Sequence, residues 1–362
     1  MRQRLNSAVQ VRLALSAALC LGGAYWGVTA WSAPAAPNTP GAEAAIYLNP
    51  VIDSSFPDPS LLRDRGTYYA YATNHAGDPF YKGDALHKSD TLPCARSVDL
   101  VHWTLLPDAM PTLPAWVIPG RTWAPQVTAF VPGKRYVAYF TAHSKGSDAQ
   151  AIGVAVAASP AGPFVGVGDG PLIEQRDLGG AIDASCFADG GTRYLVWKND
   201  GNSRGQDTWL WGQKLSADGL SLIGTPTKLI KQDQPWEGNL VEAPLLWKHG
   251  TKYYLFYSAN NYSNCSYAIG YAVAPSPLGP FVKPRATPWL SSTSDVCGPG
   301  GEDIVTGADG QTWMTYHSWA KGPGSYRSMS VDPLVWNGDV PYLLGPSRWP
   351  QPAPARLPEA SK

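Results

Sequence analysis

Charged residues are scarce in this chain of 362 residues. Asp, Glu, Lys and Arg together make up 15%, and the 28 basic residues balance the 28 acidic ones. A surface that binds nucleic acid neutralises phosphates and needs an excess of basic residues. The charge balance therefore argues against a nucleic-acid partner. A hydrophobic fraction of 44% also argues against a disordered chain.

Two further absences narrow the chemistry. The sequence has no Cys-x-x-Cys pair and no cluster of His and Cys, so neither zinc nor redox chemistry is indicated. The run Gly298–Gly301 is rich in glycine, but no Lys-Ser/Thr follows it as in a phosphate-binding loop. We interpret His143 and His317 as histidines within strands rather than as ligands.

Turn-forming and aromatic residues are abundant instead: 37 Gly, 34 Pro, 15 Trp and 18 Tyr. Gly and Pro favour turns, and aromatic residues favour strands. The composition therefore predicts an all-β fold.

The N-terminus has the layout of a secretory signal peptide over residues 1–30. Arg2, Arg4 and Arg12 precede an uncharged run at 13–31, and Val28-Thr29-Ala30 forms a small-residue cleavage site. The alternative is an uncleaved anchor, because the run is just long enough to span a bilayer. Cleavage predicts a secreted or periplasmic protein with no membrane association, in which residues 31–43 form a linker.

Export permits disulfides. Four cysteines follow the signal peptide, namely Cys94, Cys186, Cys265 and Cys297, and they allow three full pairings. The sequence does not choose among these pairings, although Cys265–Cys297 is the one that we favour.

A repeat of about sixty residues runs through 44–345. Its clearest unit is a Gly-led turn that feeds an aromatic strand, as in GTRYLVWKN at 191 and GTKYYLFYS at 250. The leading aromatics are spaced by 68, 58, 59 and 60 residues: Tyr68, Tyr136, Tyr194, Tyr253 and Trp313. Five such copies predict a five-bladed β-propeller, followed by a Pro-rich tail at 346–362. The alternative is a β-sandwich in which Tyr-rich strands recur by chance.

A second repeated motif precedes each aromatic strand. The five copies are Asp58-Pro59-Ser60, Trp123-Ala124-Pro125, Asp183-Ala184-Ser185, Glu242-Ala243-Pro244 and Gly300-Gly301-Glu302. In a propeller the first strand of each blade lines the central channel, so this spacing predicts a ring of Asp58, Trp123, Asp183, Glu242 and Gly301 at one mouth. Asp58 and Asp183 could each simply cap a turn, but three acids at blade spacing favour catalysis. Glycoside hydrolysis uses such carboxyl groups in opposed roles, and an indole packs on sugar rings.

These motifs resemble the signature set of glycoside hydrolase family 43, from about Tyr47 to Leu344. The resemblance implies a propeller that hydrolyses arabinose- or xylose-containing polysaccharides with inversion. It implies that Asp58 is the general base, that Asp183 tunes and orients the acid, and that Glu242 is the general acid. It also implies that Arg327 binds substrate, and we expect Trp123 to act as a sugar platform.

Two departures from the family pattern matter. Gln126 stands where many members carry an acid, and Gly301 stands where many carry a His associated with bound calcium. We therefore expect no cofactor and doubt a structural calcium, although Glu302 and Asp303 could offer oxygen ligands.

The resulting expectation is a secreted, inverting, exo-acting α-L-arabinofuranosidase. A β-xylosidase and an endo-1,5-α-L-arabinanase remain alternatives, because the choice depends on loops such as 74–95 and 260–267. A carbohydrate-binding propeller without turnover and a scaffold for protein partners are the alternatives from other classes.

Overall fold

The computed structural model of the protein describes residues 45–74 and 90–357. The predicted signal peptide and linker lie outside the described residues, as do residues 75–89 of the first loop named above. Among the described helices, none is long and apolar enough to cross a bilayer.

Five antiparallel sheets follow one another along the described chain. After β1 (Ile46–Tyr47), blade 1 contains β2 (Ser60–Asp64), β3 (Thr67–Tyr71), β4 (Cys94–Ser97) and β5 (Thr104–Leu106). Blade 2 contains β6 (Val117–Val131), β7 (Arg135–Ser144), β8 (Ala149–Ala157) and β9 (Val165–Gly166). Blade 3 contains β10 (Ala181–Asp189), β11 (Thr192–Asn199), β12 (Trp209–Leu215) and β13 (Leu222–Lys231).

The last two blades complete the ring. Blade 4 contains β14 (Val241–His249), β15 (Lys252–Ala259) and β16 (Ala268–Ala274). Blade 5 contains β17 (Cys297–Thr306), β18 (Thr312–Trp319), β19 (Arg327–Asn337) and β20 (Val340–Leu343), and β21 is Gln351–Pro352. Three short 3-10 helices occupy loops of the described chain: Arg176–Leu178, Gly201–Arg204 and Pro235–Glu237. The chain is the five-bladed β-propeller that its repeat predicts.

Blade 4 differs from the expected four strands. Its fourth position is reduced to an isolated bridge between Val273 and Val282. Pro280 and Pro284 flank this bridge, and proline has no N–H to donate to a ladder. A longer outer strand is therefore not formed there.

The aromatic repeat forms the second strand of every blade, which is covered on both faces by neighbouring blades. Tyr68, Tyr136 and Trp313 are buried in these strands. One hydrophobic core lies at each blade interface. Between blades 1 and 2, for example, Tyr71 packs in the same core as Phe140. Because both faces are apolar, these strands appear in the sequence as continuous rather than alternating hydrophobic runs.

The two ends of the described chain meet on blade 5. Strand β1 pairs with β21, so part of the segment that the sequence analysis separates as a tail lies against the propeller. A buried carboxylate, Asp332, lies at this junction. It accepts hydrogen bonds from Asn49 Nδ2 (3.0 Å), Ser347 Oγ (2.7 Å) and Tyr316 hydroxyl (2.5 Å). Burial raises the pKa of Asp332, and these donors oppose the rise.

We expect Asp332→Ala to lower the free energy of unfolding by about 2–4 kcal/mol, because several buried donors lose their acceptor at once. Denaturant unfolding of the purified protein measures the change. Asp339→Ala, also on blade 5, breaks an exposed pair with Lys252 of blade 4; it is the matched control and should leave the midpoint nearly unchanged. Equal midpoints for the two variants would contradict the role of Asp332 in joining the chain ends.

Candidate active site

The first strand of each blade carries a β-bulge or a bend at the channel mouth. In blades 2 to 5 the ladder shifts register between Trp123 and Gln126, Ile182 and Ser185, Glu242 and Leu245, and Gly300 and Asp303. The residue that leaves the ladder has a positive φ in every blade: Asp58 (51°), Ala124 (38°), Asp183 (59°), Ala243 (49°) and Gly301 (59°). Four of these residues are not glycine, and such a conformation costs an L-residue roughly 1–2 kcal/mol.

This geometry corrects the predicted ring. Asp58, Asp183 and Gly301 do occupy equivalent positions, but Trp123 and Glu242 lie one residue before the bulge. They remain in the ladder, opposite Thr141 and Ser258. In blades 2 and 4 the sequence triplets therefore place the ring position one residue too early, at Trp123 and Glu242 instead of Ala124 and Ala243.

At four of the five junctions, a side chain on or just after the second strand of the preceding blade accepts the backbone N–H of the bulge residue. The four hydrogen bonds are Ala124 N–H to Thr73 Oγ1 (2.7 Å), Asp183 N–H to Thr141 Oγ1 (3.1 Å), Gly301 N–H to Ser258 Oγ (2.9 Å) and Asp58 N–H to His317 Nδ1 (3.1 Å). We call these residues, with Lys198 at the equivalent position of blade 3, the inter-blade belt. The belt satisfies donors that the bulges remove from the ladder.

Asp58 is surrounded by donors and positive charge. Thr73 Oγ1 donates to its Oδ2 (2.6 Å), and Arg327 Nη1 donates to its Oδ1 (3.2 Å). Burial favours the neutral carboxyl, but the charge of Arg327, the neighbouring imidazole of His317 and the hydrogen bond from Thr73 outweigh it and hold the pKa of Asp58 well below its ordinary range. Asp58 is therefore ionised at neutral pH.

The pKa of Asp183 is shifted in the opposite direction. Burial, with the nearby charge of Glu242 adding to it, raises the pKa of Asp183 to about 7, while Lys198 opposes the rise. Its Oδ2 accepts the backbone N–H of Ala243 (2.9 Å). Asp183 therefore keeps its proton to a higher pH than an exposed Asp does.

Glu242 has a donor on each of its oxygens. Lys198 Nζ donates to Oε2 (2.9 Å), and the Tyr267 hydroxyl donates to Oε1 (2.8 Å). Tyr267 stays protonated as a donor, because burial raises its pKa well above the ordinary value and the charge of Glu242 adds to the rise. These contacts fix the direction in which the carboxyl group points.

The five residues for which the sequence predicts a catalytic or substrate-binding role line one open cavity of about 470 Å³: Asp58, Trp123, Asp183, Glu242 and Arg327. The Arg327 guanidinium lies 5.2 Å from the ring centre of Tyr262, which also lines the cavity. The structure thus brings together three carboxyl groups, an indole and a guanidinium.

The loop at 260–267 forms one wall of this cavity. A disulfide joins Cys265 to Cys297 and attaches the loop to blade 5, as favoured from the sequence, while Cys94 and Cys186 are free. Trp319 Nε1 donates to the carbonyl of Tyr262 (2.9 Å). The wall is therefore held by a covalent bond and a hydrogen bond.

Sequence analysis missed four polar residues of the site: Thr73, Lys198, Tyr267 and His317. His143 lies within a strand as expected, bonded to Gln150 and Asp148. His317 also lies within a strand, but its ring is fully buried and contacts both Asp58 and Arg327. The sequence does carry a pattern that could identify the belt residues, because each of them follows the leading aromatic of its repeat by four or five positions.

Gly301 is the reason that the His317 ring fits beside Asp58. A Cβ atom at position 301 would lie 2.7 Å from His317 Nδ1 and 2.8 Å from Asp58 Oδ1. Both distances are shorter than van der Waals contact. The imidazole from the neighbouring strand therefore occupies space that a side chain at 301 would need.

Glu302 and Asp303, the two acids that could offer oxygen ligands to calcium, lie at the channel beside Asp58 and Asp183. Glu302 and Asp303 are buried, and burial raises the pKa of Glu302 to about 8 and of Asp303 to about 7, so both favour the neutral form. Calcium prefers ionised carboxylates among six to eight oxygen ligands. Within the described part of the chain, no three His, Cys, Asp or Glu side chains are grouped to hold a metal ion.

A five-bladed propeller whose mouth gathers an ionised Asp, an Asp of raised pKa and a tethered Glu around one cavity has the chemistry of a glycoside hydrolase. Comparison with known proteins agrees. The family model described as Glycosyl hydrolases family 43 matches residues 47–341, and the chain belongs to this family of inverting enzymes.

Three relatives illustrate the similarity. An extracellular exo-α-(1→5)-L-arabinofuranosidase of Streptomyces avermitilis is 27% identical over 317 residues, which cover 83% of this chain and 61% of that protein. A probable arabinan endo-1,5-α-L-arabinosidase A of Aspergillus flavus is 28% identical, covering 75% of this chain and 85% of that protein. The crystal structure of a thermostable family-43 glycoside hydrolase superposes with a TM-score of 0.74 and 30% identity, covering 85% of this chain and 99% of that one.

We predict that Gly301→Ala lowers kcat/KM roughly 10- to 100-fold, because the new methyl group displaces His317 or Asp58. Gly250→Ala is the matched control: its φ is 58° against 59° at Gly301, but nothing lies within 4 Å of its Cβ position. Both variants carry the same backbone strain of about 1 kcal/mol. Equal activity of the two variants would show that crowding at Gly301 is unimportant.

Proposed function

We propose that the protein is a secreted, exo-acting α-L-arabinofuranosidase that releases terminal arabinose from arabinose-containing polysaccharides. The observation that carries the catalytic part is the split in charge state between two aspartates of one cavity. Asp58 is ionised by Arg327 and its hydrogen bonds, whereas Asp183 retains a proton to about pH 7.

In the proposed reaction Asp183 and Glu242 form an acid pair that shares one proton. Glu242, when it carries this proton, gives it to the glycosidic oxygen as the bond to the anomeric carbon breaks. The bonding electron pair leaves with the oxygen. A water molecule attacks the anomeric carbon from the other side, and Asp58 takes its proton. Asp183 holds the backbone of Ala243 and keeps a proton in the acid pair. The products leave Asp58 protonated and Glu242 ionised, and exchange with water resets both.

Arg327 and Trp123 have the chemistry of substrate contacts in this proposal. One guanidinium nitrogen of Arg327 is engaged by Asp58, and its remaining N–H groups can donate to sugar hydroxyls. Trp123 lines the same cavity and offers an apolar face for the C–H groups of a sugar ring.

Exo action is supported by the activity in the name of the Streptomyces relative. Secretion is supported by that relative's being named extracellular and by the disulfide, which persists in oxidising compartments. The Aspergillus relative is named as an endo-acting enzyme, so endo-arabinanase is the second candidate.

The substrate is tested by hydrolysis of an aryl α-L-arabinofuranoside beside an aryl β-D-xyloside, with the anomer of the released sugar followed by NMR. We expect release of arabinose with inverted configuration at the anomeric carbon, and little release of xylose. Dominant release of xylose would replace the arabinofuranosidase assignment with a β-xylosidase. Rapid loss of viscosity of linear arabinan without release of arabinose would favour endo action instead.

We expect Glu242→Gln to lower kcat/KM by about 10²- to 10⁴-fold on substrates whose leaving group must be protonated. A dinitrophenyl leaving group, which departs without a proton, should restore much of the rate. Asp58→Asn is the matched variant and should lose activity on both kinds of substrate. Failure of the dinitrophenyl substrate to rescue Glu242→Gln would remove Glu242 from the role of acid.

A further inference from the structure

Lys198 interrupts the inter-blade belt at the junction between blades 3 and 4. Its position, opposite Ile182 in the ladder, is equivalent to those of Thr141 and Ser258. An ammonium group donates hydrogen bonds and cannot accept one. The bulge N–H that follows this junction, that of Ala243, therefore needs another acceptor, and Asp183 Oδ2 supplies it at 2.9 Å.

The lysine at this belt position affects both Asp183 and Glu242, the two members of the acid pair. Asp183 is turned to the backbone of the next blade, and the freed ammonium reaches the carboxylate that follows, with Nζ 2.9 Å from Glu242 Oε2 and 3.5 Å from Asp200 Oδ1. The Lys198 side chain is only 1% exposed. A buried charge of this kind is costly unless paired, so a hydroxyl would satisfy the belt more cheaply.

The surroundings of the ammonium are acidic on several sides. The titratable groups around Lys198 and Glu242 are Asp183 on β10, Asp200 after β11, Tyr267 before β16, Glu302 on β17, His317 on β18 and Asp58 before β2. Asp58 is ionised, and Asp183, Asp200 and Glu302 each become negative when they lose a proton, whereas Tyr267 stays protonated. A single fixed cation beside Glu242 thus offsets repulsion that would otherwise oppose its ionisation.

We propose that Lys198 is a positioning residue that holds Glu242 towards the substrate and balances the negative charge left on Glu242 after it has protonated the leaving group. The inference rests on the proposed role of Glu242 as the acid. Lys198 itself transfers no proton in this scheme, because its ammonium remains charged throughout, and pairing with Glu242 outweighs burial and raises its pKa.

The proposal predicts a shift in the pH profile rather than only a loss of rate. Without the Lys198 cation, the ionised form of the Asp183–Glu242 pair is less stable. The pair therefore keeps its proton to higher pH. In Lys198→Met the basic limb of kcat/KM should therefore move up by about one pH unit. Activity on a poor leaving group should fall about 10- to 100-fold, and activity on the dinitrophenyl substrate should fall much less.

Asp200→Asn is the second variant, and its expected pH shift is opposite to that of Lys198→Met. It removes a negative charge that competes for the same ammonium, so the basic limb should move down. Lys198→Arg keeps the charge and should leave the limb where it is in the parent protein. Lys283→Met is the matched control, because Lys283 is also a buried lysine paired with a buried glutamate, Glu237, but does not line the cavity.

The outcomes separate the proposals. Opposite limb shifts in Lys198→Met and Asp200→Asn, with none in Lys283→Met, support the role of Lys198. If Lys198→Met does not fold, the direction of the Asp200→Asn shift decides. The proposal is overturned if the basic limb of kcat/KM does not move in the variants that fold. It is also overturned if Lys198→Met loses equal activity on the poor leaving group and on the dinitrophenyl substrate. Glu242→Gln is measured in the same experiment. If the dinitrophenyl substrate does not restore its rate, the assignment of Glu242 as the acid fails. If the rate is restored but the basic limbs of the Lys198 and Asp200 variants do not move, only the proposed role of Lys198 is refuted.

Discussion

The site depends on one repeated hydrogen bond, from the N–H of a bulge residue to a side chain of the preceding blade. The bulge turns the backbone into a positive φ and takes the N–H out of its own ladder. Left unpaired in a buried mouth, that donor would destabilise the fold. Because the acceptor comes from the neighbouring blade, the same bond joins two blades and fixes the backbone at the channel mouth, as Thr141 does for Asp183.

The charge state of each acid follows from its partners rather than from burial alone. Asp58 and Asp183 sit on equivalent bulges, and burial raises the pKa of both. Asp58 nevertheless ionises, because Arg327 and His317 face it, while Asp183 faces the carboxyl group of Glu242. Fivefold repetition therefore supplies equal positions, and the side chains of the adjacent blade make them unequal.

The sequence predicted much of this arrangement because the repeat is strong. The aromatic second strands are buried on both faces, so their pattern is recognisable, and the three acids and Arg327 were found through their motifs. The alignment of Trp123 and Glu242 was one residue out, because a bulge adds a residue to one strand without changing the triplet's appearance. Lys198 and His317 were missed as site residues, because their partners lie about 44 and 259 residues away.

The sequence by itself thus determined the number of blades, the family and the acids at the mouth, all of which are repeated at short range and recognisable as motifs. Only the tertiary structure decided which acid is ionised, why Gly301 leaves space for an imidazole, and that a buried lysine reaches Glu242. These properties arise between blades. They depend on distances of about 3 Å between side chains that the local pattern of any one repeat does not encode.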